Sequence, residues 1–133
     1  MIQEHLIAGL KSAFPEKTFR FSQPPEPVAS LPSPCKALGG LEICDDGHEA
    51  TVYLTEATHS HFGCYEDQLS IGQKEERISC DVIAFLKALF ADRVVVWCFA
   101  GGIAGGWRVL QPGEALPKRS HVRRQFVWSR ELI

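Results

Sequence analysis

His59 and His61 are separated by one residue, the spacing at which a strand turns both imidazoles to one side, roughly 7 Å apart along the chain. Two neutral imidazoles joined by a carboxylate or thiolate suit zinc. Glu49 and Cys44 complete that set, with Glu42, Glu56 and Cys64 as further donors. Zinc held there would lower the pKa of a bound water to about 7, and Glu49 would act as general base, giving a metal-dependent hydrolase. The plain alternative is a pair of hydrogen-bonded histidines near a strand end. Neither HExxH nor paired CxxC motifs stand behind the metal, so no cofactor is expected by default and zinc is the one that would fit.

Three other segments invite chemistry. Asp45-Asp46-Gly47-His48-Glu49 resembles part of a calcium loop but lacks that loop's remaining ligands, and turn chemistry explains Asp46-Gly47. Gly101-Gly102-Ile103-Ala104-Gly105-Gly106 could gather backbone N–H groups around an anion, yet no Gly-Lys-Ser/Thr follows and the next segment reads as a strand. A mobile hairpin loop flanked by Trp97 and Trp107 is the simpler reading. Lys118, Arg119, Arg123, Arg124 and Arg130 interleave with Phe126 and Trp128, a pattern that could hold single-stranded nucleic acid by phosphate contact and stacking. It could equally keep an edge strand soluble. Nucleophilic catalysis has little support. Gly-x-Ser-x-Gly is absent, and Cys64 and His61 would point to opposite faces of an extended strand. The chain therefore leans away from enzymes.

These residues need elements to position them. Ile2, Leu6, Leu10 and Ala13 form one face of a helix that Pro15 ends. Thr18 to Ser22 alternates as a short strand. Residues 23–40 hold five prolines and read as an irregular loop. Asp46-Gly47 between Leu41–Cys44 and Glu49–Leu54 predicts a type I′ hairpin, with Cys44 opposite Glu49 and Glu42 opposite Thr51. One face then carries Leu41, Ile43, Ala50, Val52 and Leu54; the other carries Glu42, Cys44, Glu49, Thr51 and Tyr53. His59 to Phe62 follows as a third strand, with Phe62 inward and both histidines on the polar face. Ser70 with Gln73 predicts a capping box opening a helix of about 20 residues. Val94 to Phe99 is apolar on both faces and reads as an interior strand. Trp107 to Leu110 returns antiparallel. His121 to Trp128 is a last strand, with Val122, Phe126 and Trp128 on one face.

Composition sets the frame. The 133 residues are 45% hydrophobic and 23% charged, enough for one globular core and too few for two domains. Five widely spaced cysteines, an odd count, argue against a disulfide framework. The N-terminal stretch lacks the pattern of a secretory signal and no apolar run reaches membrane-span length. A cytoplasmic protein with no membrane partner is expected. Charge is polarised: residues 1–92 hold 7 Lys and Arg against 14 Asp and Glu, a net of −7, and residues 93–133 hold 7 against 2, a net of +5. Either the two segments pair their charges within the fold, or patches of opposite sign meet partners.

Leu41-Glu42-Ile43-Cys44-Asp45-Asp46-Gly47, continuing through Thr51-Val52-Tyr53, resembles small uncharacterised bacterial α+β proteins over about the central half of the chain. The resemblance implies the fold class and transfers no activity or residue roles. The expectation is a single α+β domain over residues 1–133. An antiparallel or mixed sheet of about five or six strands would carry two helices packed on one face, with a proline-rich loop at 23–40. The leading functional expectation is a protein-binding or regulatory module, for instance toxin-neutralising, whose contact surface includes Trp107, Arg119, Arg123 and Arg124. Its partner is a protein still to be identified. The alternatives are the zinc site at His59, His61, Glu49 and Cys44, and nucleic-acid binding through residues 118–130.

Overall fold

The chain folds as α1 (Ile2–Ala13), β1 (Arg20–Phe21), β2 (Ala29–Pro32), β3 (Gly40–Asp45), β4 (Glu49–Leu54), β5 (Thr58–Gly63), α2 (Ile71–Phe90), β6 (Val94–Phe99), β7 (Gly105–Val109), β8 (Arg123–Val127) and β9 (Arg130–Glu131). This computed structural model describes residues 1–54, 57–99 and 105–133. Glu56, a candidate ligand, and Gly101 to Ala104 of the glycine-rich segment lie outside the described residues. The architecture is a small α+β domain with two antiparallel sheets. The first is a meander in the order β1-β2-β3-β4-β5, and the second has the order β7-β6-β8-β9.

The nine described strands exceed the expected five or six, and two of them, β2 and β9, fall where no strand was expected. β2 lies inside the proline-rich 23–40 segment, read above as irregular throughout. It is tolerated because Pro32 is its last residue and lies beyond the end of β1, which pairs only with Ala29 and Ser30. β9 is two residues long, too short for alternation to register. Val122 also departs from expectation. β8 begins one residue later, and Val122 is exposed.

Both helices pack on one side of the sheets, as expected. Ile2, Leu6 and Leu10 of α1 and Val82, Leu86 and Leu89 of α2 share one buried cluster with Ile43 and Val52 of the first sheet and Val94, Val96 and Phe126 of the second. The long helix starts at the predicted capping box: the Ser70 side chain accepts from the Gln73 N–H, and the Gln73 side chain accepts from the Ser70 N–H. The sheets meet where β7 passes the start of β5. A Cβ on Gly105 would fall 2.2 Å from the Ala57 carbonyl oxygen, so only glycine allows this approach.

The β3–β4 hairpin corrects the predicted register. Cys44 pairs with Thr51 and Glu42 with Tyr53, not with Glu49 and Thr51. The central turn residues are Gly47 and His48, with the Asp46 N–H donating to the Glu49 carbonyl at 2.9 Å. Only Gly47 takes positive φ, at 89°, as the first position of a type II′ turn requires. A type I′ turn would have forced Asp46 into that region as well. The shift is two residues, and two is the side-chain period, so every residue keeps its predicted face.

Candidate functional site

The outer face of the meander, turned from the helices, is the polar one. One cross-strand row runs Arg20, Ser30, Glu42, Tyr53, His59 across all five strands. The next holds Cys44, Thr51 and His61. Strand alternation therefore places His59 and His61 together with Glu42, Glu49 and Cys44, as the sequence implies, and Phe62 faces inward onto Phe85.

At the centre of this face is a relay that the sequence alone did not reveal. Thr51 is fully buried, and its hydroxyl donates to Asp46. His61 Nδ1 lies 3.0 Å from the same Thr51 oxygen and 3.5 Å from Glu49 Oε2. A threonine hydroxyl has one proton, and Asp46 receives it, so Nδ1 must be the donor in the His61 contact. Neutral His61 is then the Nδ1–H tautomer, which leaves Nε2 as an acceptor. The Tyr65 hydroxyl donates to the other oxygen of Glu49. His59 lies between Tyr53, tilted at 5.5 Å, and His61, edge-on at 5.1 Å between ring centroids.

This geometry bears on each proposed ligand. Glu49 is engaged by Tyr65 and His61. Burial pushes the Cys44 thiol pKa up, and the Asp46 and Glu42 carboxylates push it the same way, so the thiol is protonated at neutral pH. Among the described residues, no group of three or more His, Cys, Asp or Glu side chains is arranged to hold a metal ion. The acidic knuckle is likewise committed locally. Asp45 accepts from the Gln3 and Gly47 N–H groups at 3.0 and 2.8 Å, and Asp46 accepts from Thr51. Asp46, Thr51 and Tyr65 are the members that sequence reasoning missed. Asp46 and Thr51 meet only in the shifted hairpin register, and Tyr65 lies beyond the last strand of the sheet.

The basic segment is arranged differently. Trp107 is half-buried and packs edge-on against Phe85 at 4.8 Å, so this ring serves the core more than a contact surface. Phe126 and Trp128, 1% and 3% exposed, are unavailable to stack on bases. Arg124 is held by Glu131 through two bonds of 2.7 and 2.9 Å, and Arg123 lies over Trp97 at 4.6 Å. Arg119 is exposed. Within the segment Arg108 also pairs with Glu114. Among the described residues a single ion pair, Arg130 with Asp92 at 3.8 Å, joins the basic segment to the acidic one. No described helix is long and apolar enough to cross a membrane. Comparison with protein-family models, curated proteins and solved structures finds no match to this chain.

Proposed function

We propose that this chain is a protein-binding module that meets a cationic partner protein through the outer face of the first sheet. The observation that carries the reading is that, among the described residues, the carboxylates of this face, Glu42, Asp46 and Glu49, form no ion pair with a Lys or Arg. The alternative in which the two charged segments cancel within the fold has little support, since among the described residues a single long ion pair joins them. Tyr53, 38% exposed, and the exposed His59 add aromatic contact area beside the carboxylates. Such a surface sets partner choice and association rate more than raw affinity.

The test is affinity capture from an extract of the source cells, with wild type and Glu42→Lys/Glu49→Lys compared by quantitative mass spectrometry. A basic protein enriched by wild type, lost in the variant and released as salt rises from about 0.1 to about 1 M is expected, because the screening length falls from about 10 to about 3 Å. Equal capture by both proteins sinks the reading.

The His61 tautomer favours one second reading, a zinc ion bound through His59 and His61. Its test is the metal content of protein purified without a histidine tag. Stoichiometric zinc that disappears in His59→Ala/His61→Ala supports it; zinc content unchanged by the double replacement refutes it.

A further inference from the structure

The face of the second sheet turned away from the helices holds a different surface. There Val95, Val127 and Leu110 form a small buried cluster of their own, against which Leu116 and Leu132 pack. Leu116 belongs to the segment between β7 and β8, and Leu132 follows β9. Between them runs a groove of about 690 Å³, within the size range of ligand-binding clefts.

The groove combines an apolar lining with cations. Leu116, Pro117 and Leu132 line it, together with Lys118, Arg119 and Arg130. Glu131 also lines it, but its carboxylate is occupied by Arg124. Among the described residues Lys118 and Arg119 make no ion pair, and Arg130 pairs with Asp92 at 3.8 Å. Both walls are tied to Gln125, which is 3% exposed. Its backbone carbonyl accepts from the Leu132 N–H at 2.8 Å, and its side-chain amide donates to the Lys118 carbonyl at 3.5 Å. Gln125 Oε1 is buried and has no donor within the described structure. An acceptor so placed is uncommon in a folded protein.

We propose that this groove binds an extended peptide segment of a partner protein, with an apolar side chain seated between Leu116 and Leu132 and flanking Asp or Glu residues facing Lys118, Arg119 and Arg130. A peptide fits better than nucleic acid. Single-stranded nucleic acid needs exposed aromatic faces for its bases, yet Phe126 and Trp128 are buried and Arg123 covers Trp97. The apolar walls have no counterpart in a phosphate backbone. The site lies on the other sheet from the acidic face and does not depend on it.

The experiment is fluorescence anisotropy of the full chain with a labelled peptide that alternates Glu with Leu. Two control peptides replace Glu by Gln or Leu by Gly, and labelled oligo-dT is the fourth probe. Saturable binding of the Glu-Leu peptide is expected, weakened about tenfold or more by either replacement. Lys118→Glu/Arg119→Glu, with both positions exposed, loses the binding while its circular dichroism is unchanged. Glu42→Lys/Glu49→Lys retains it, which separates this groove from the acidic surface. No binding of the Glu-Leu peptide, binding indifferent to the Leu-to-Gly change, or tighter binding of oligo-dT each overturns the proposal.

Discussion

Thr51 has one hydroxyl group and no exposed surface, yet both Asp46 and His61 depend on it. Thr51→Val keeps the shape and removes the hydroxyl, leaving a carboxylate and an imidazole N–H without their partner. Asp46 and His61 are exposed and water can reach them, so a cost of about 0.5–1.5 kcal/mol is expected in urea unfolding, and Thr51→Ser should recover most of it. A cost near zero would mean that solvent replaces the hydroxyl freely. A second residue-level effect concerns acid. The Arg108 guanidinium, and then the Gln111 N–H, hold the Glu114 carboxyl down at about 2, and Arg124 lowers Glu131 in the same direction. A carboxylate depressed by folding contributes stability that is complete above its unfolded value, about 4.3, and lost as pH falls towards 2. Unfolding followed from neutral pH down to about 2 should therefore show a shallower acid loss for Glu114→Gln than for wild type. Equal slopes would contradict the assignment. At this scale the histidines were legible, because alternation alone decides their face. The hydroxyl relay was not, because it depends on which two residues form the turn.

That turn belongs to the scale of elements, where local signals succeeded unevenly. The long helix was readable to its first turn because a capping box and helical spacing agree. β4 and β6 were readable because apolar patterning and flanking turns coincide. β2 was hidden because the prolines around it carry the opposite local preference; pairing with both neighbours overrides them. The hairpin shows the limit most clearly. Asp46-Gly47 and Gly47-His48 both offer a two-residue turn, and both leave the same residues facing the core. The choice rests on φ, since type II′ demands a positive value of glycine alone. Gly47→Ala tests this. No atom lies within 4 Å of the added methyl group, so the effect reports backbone conformation and not crowding. A loss of about 1 kcal/mol is expected from the left-handed penalty, measured by chemical denaturation. No loss would mean that the hairpin can adopt another turn without penalty.

At the scale of the molecule, charge polarity was visible in the sequence, but only the fold could show that a single ion pair joins the two segments among the described residues. The converse holds for the core: two sheets were not foreseen, yet they share one hydrophobic cluster. Phe85 of α2 is where they are joined, lying 5.5 Å from Phe62 on β5 and 4.8 Å from Trp107 on β7. Probes for the two sheets exist naturally. All three tryptophans, Trp97, Trp107 and Trp128, lie on the second sheet or next to it, whereas far-UV circular dichroism reports both sheets and both helices. A shared core predicts coincident unfolding by tryptophan fluorescence and circular dichroism. Phe85→Ala should cost about 3–5 kcal/mol by removing a large buried ring, a substantial part of the roughly 5–15 kcal/mol typical of a domain. The midpoints should fall together, because α1 and the rest of α2 still bridge the sheets. If the fluorescence transition of wild type instead came first, the four-stranded sheet would be unfolding as a separate unit. The shared cluster would then describe contact without cooperativity.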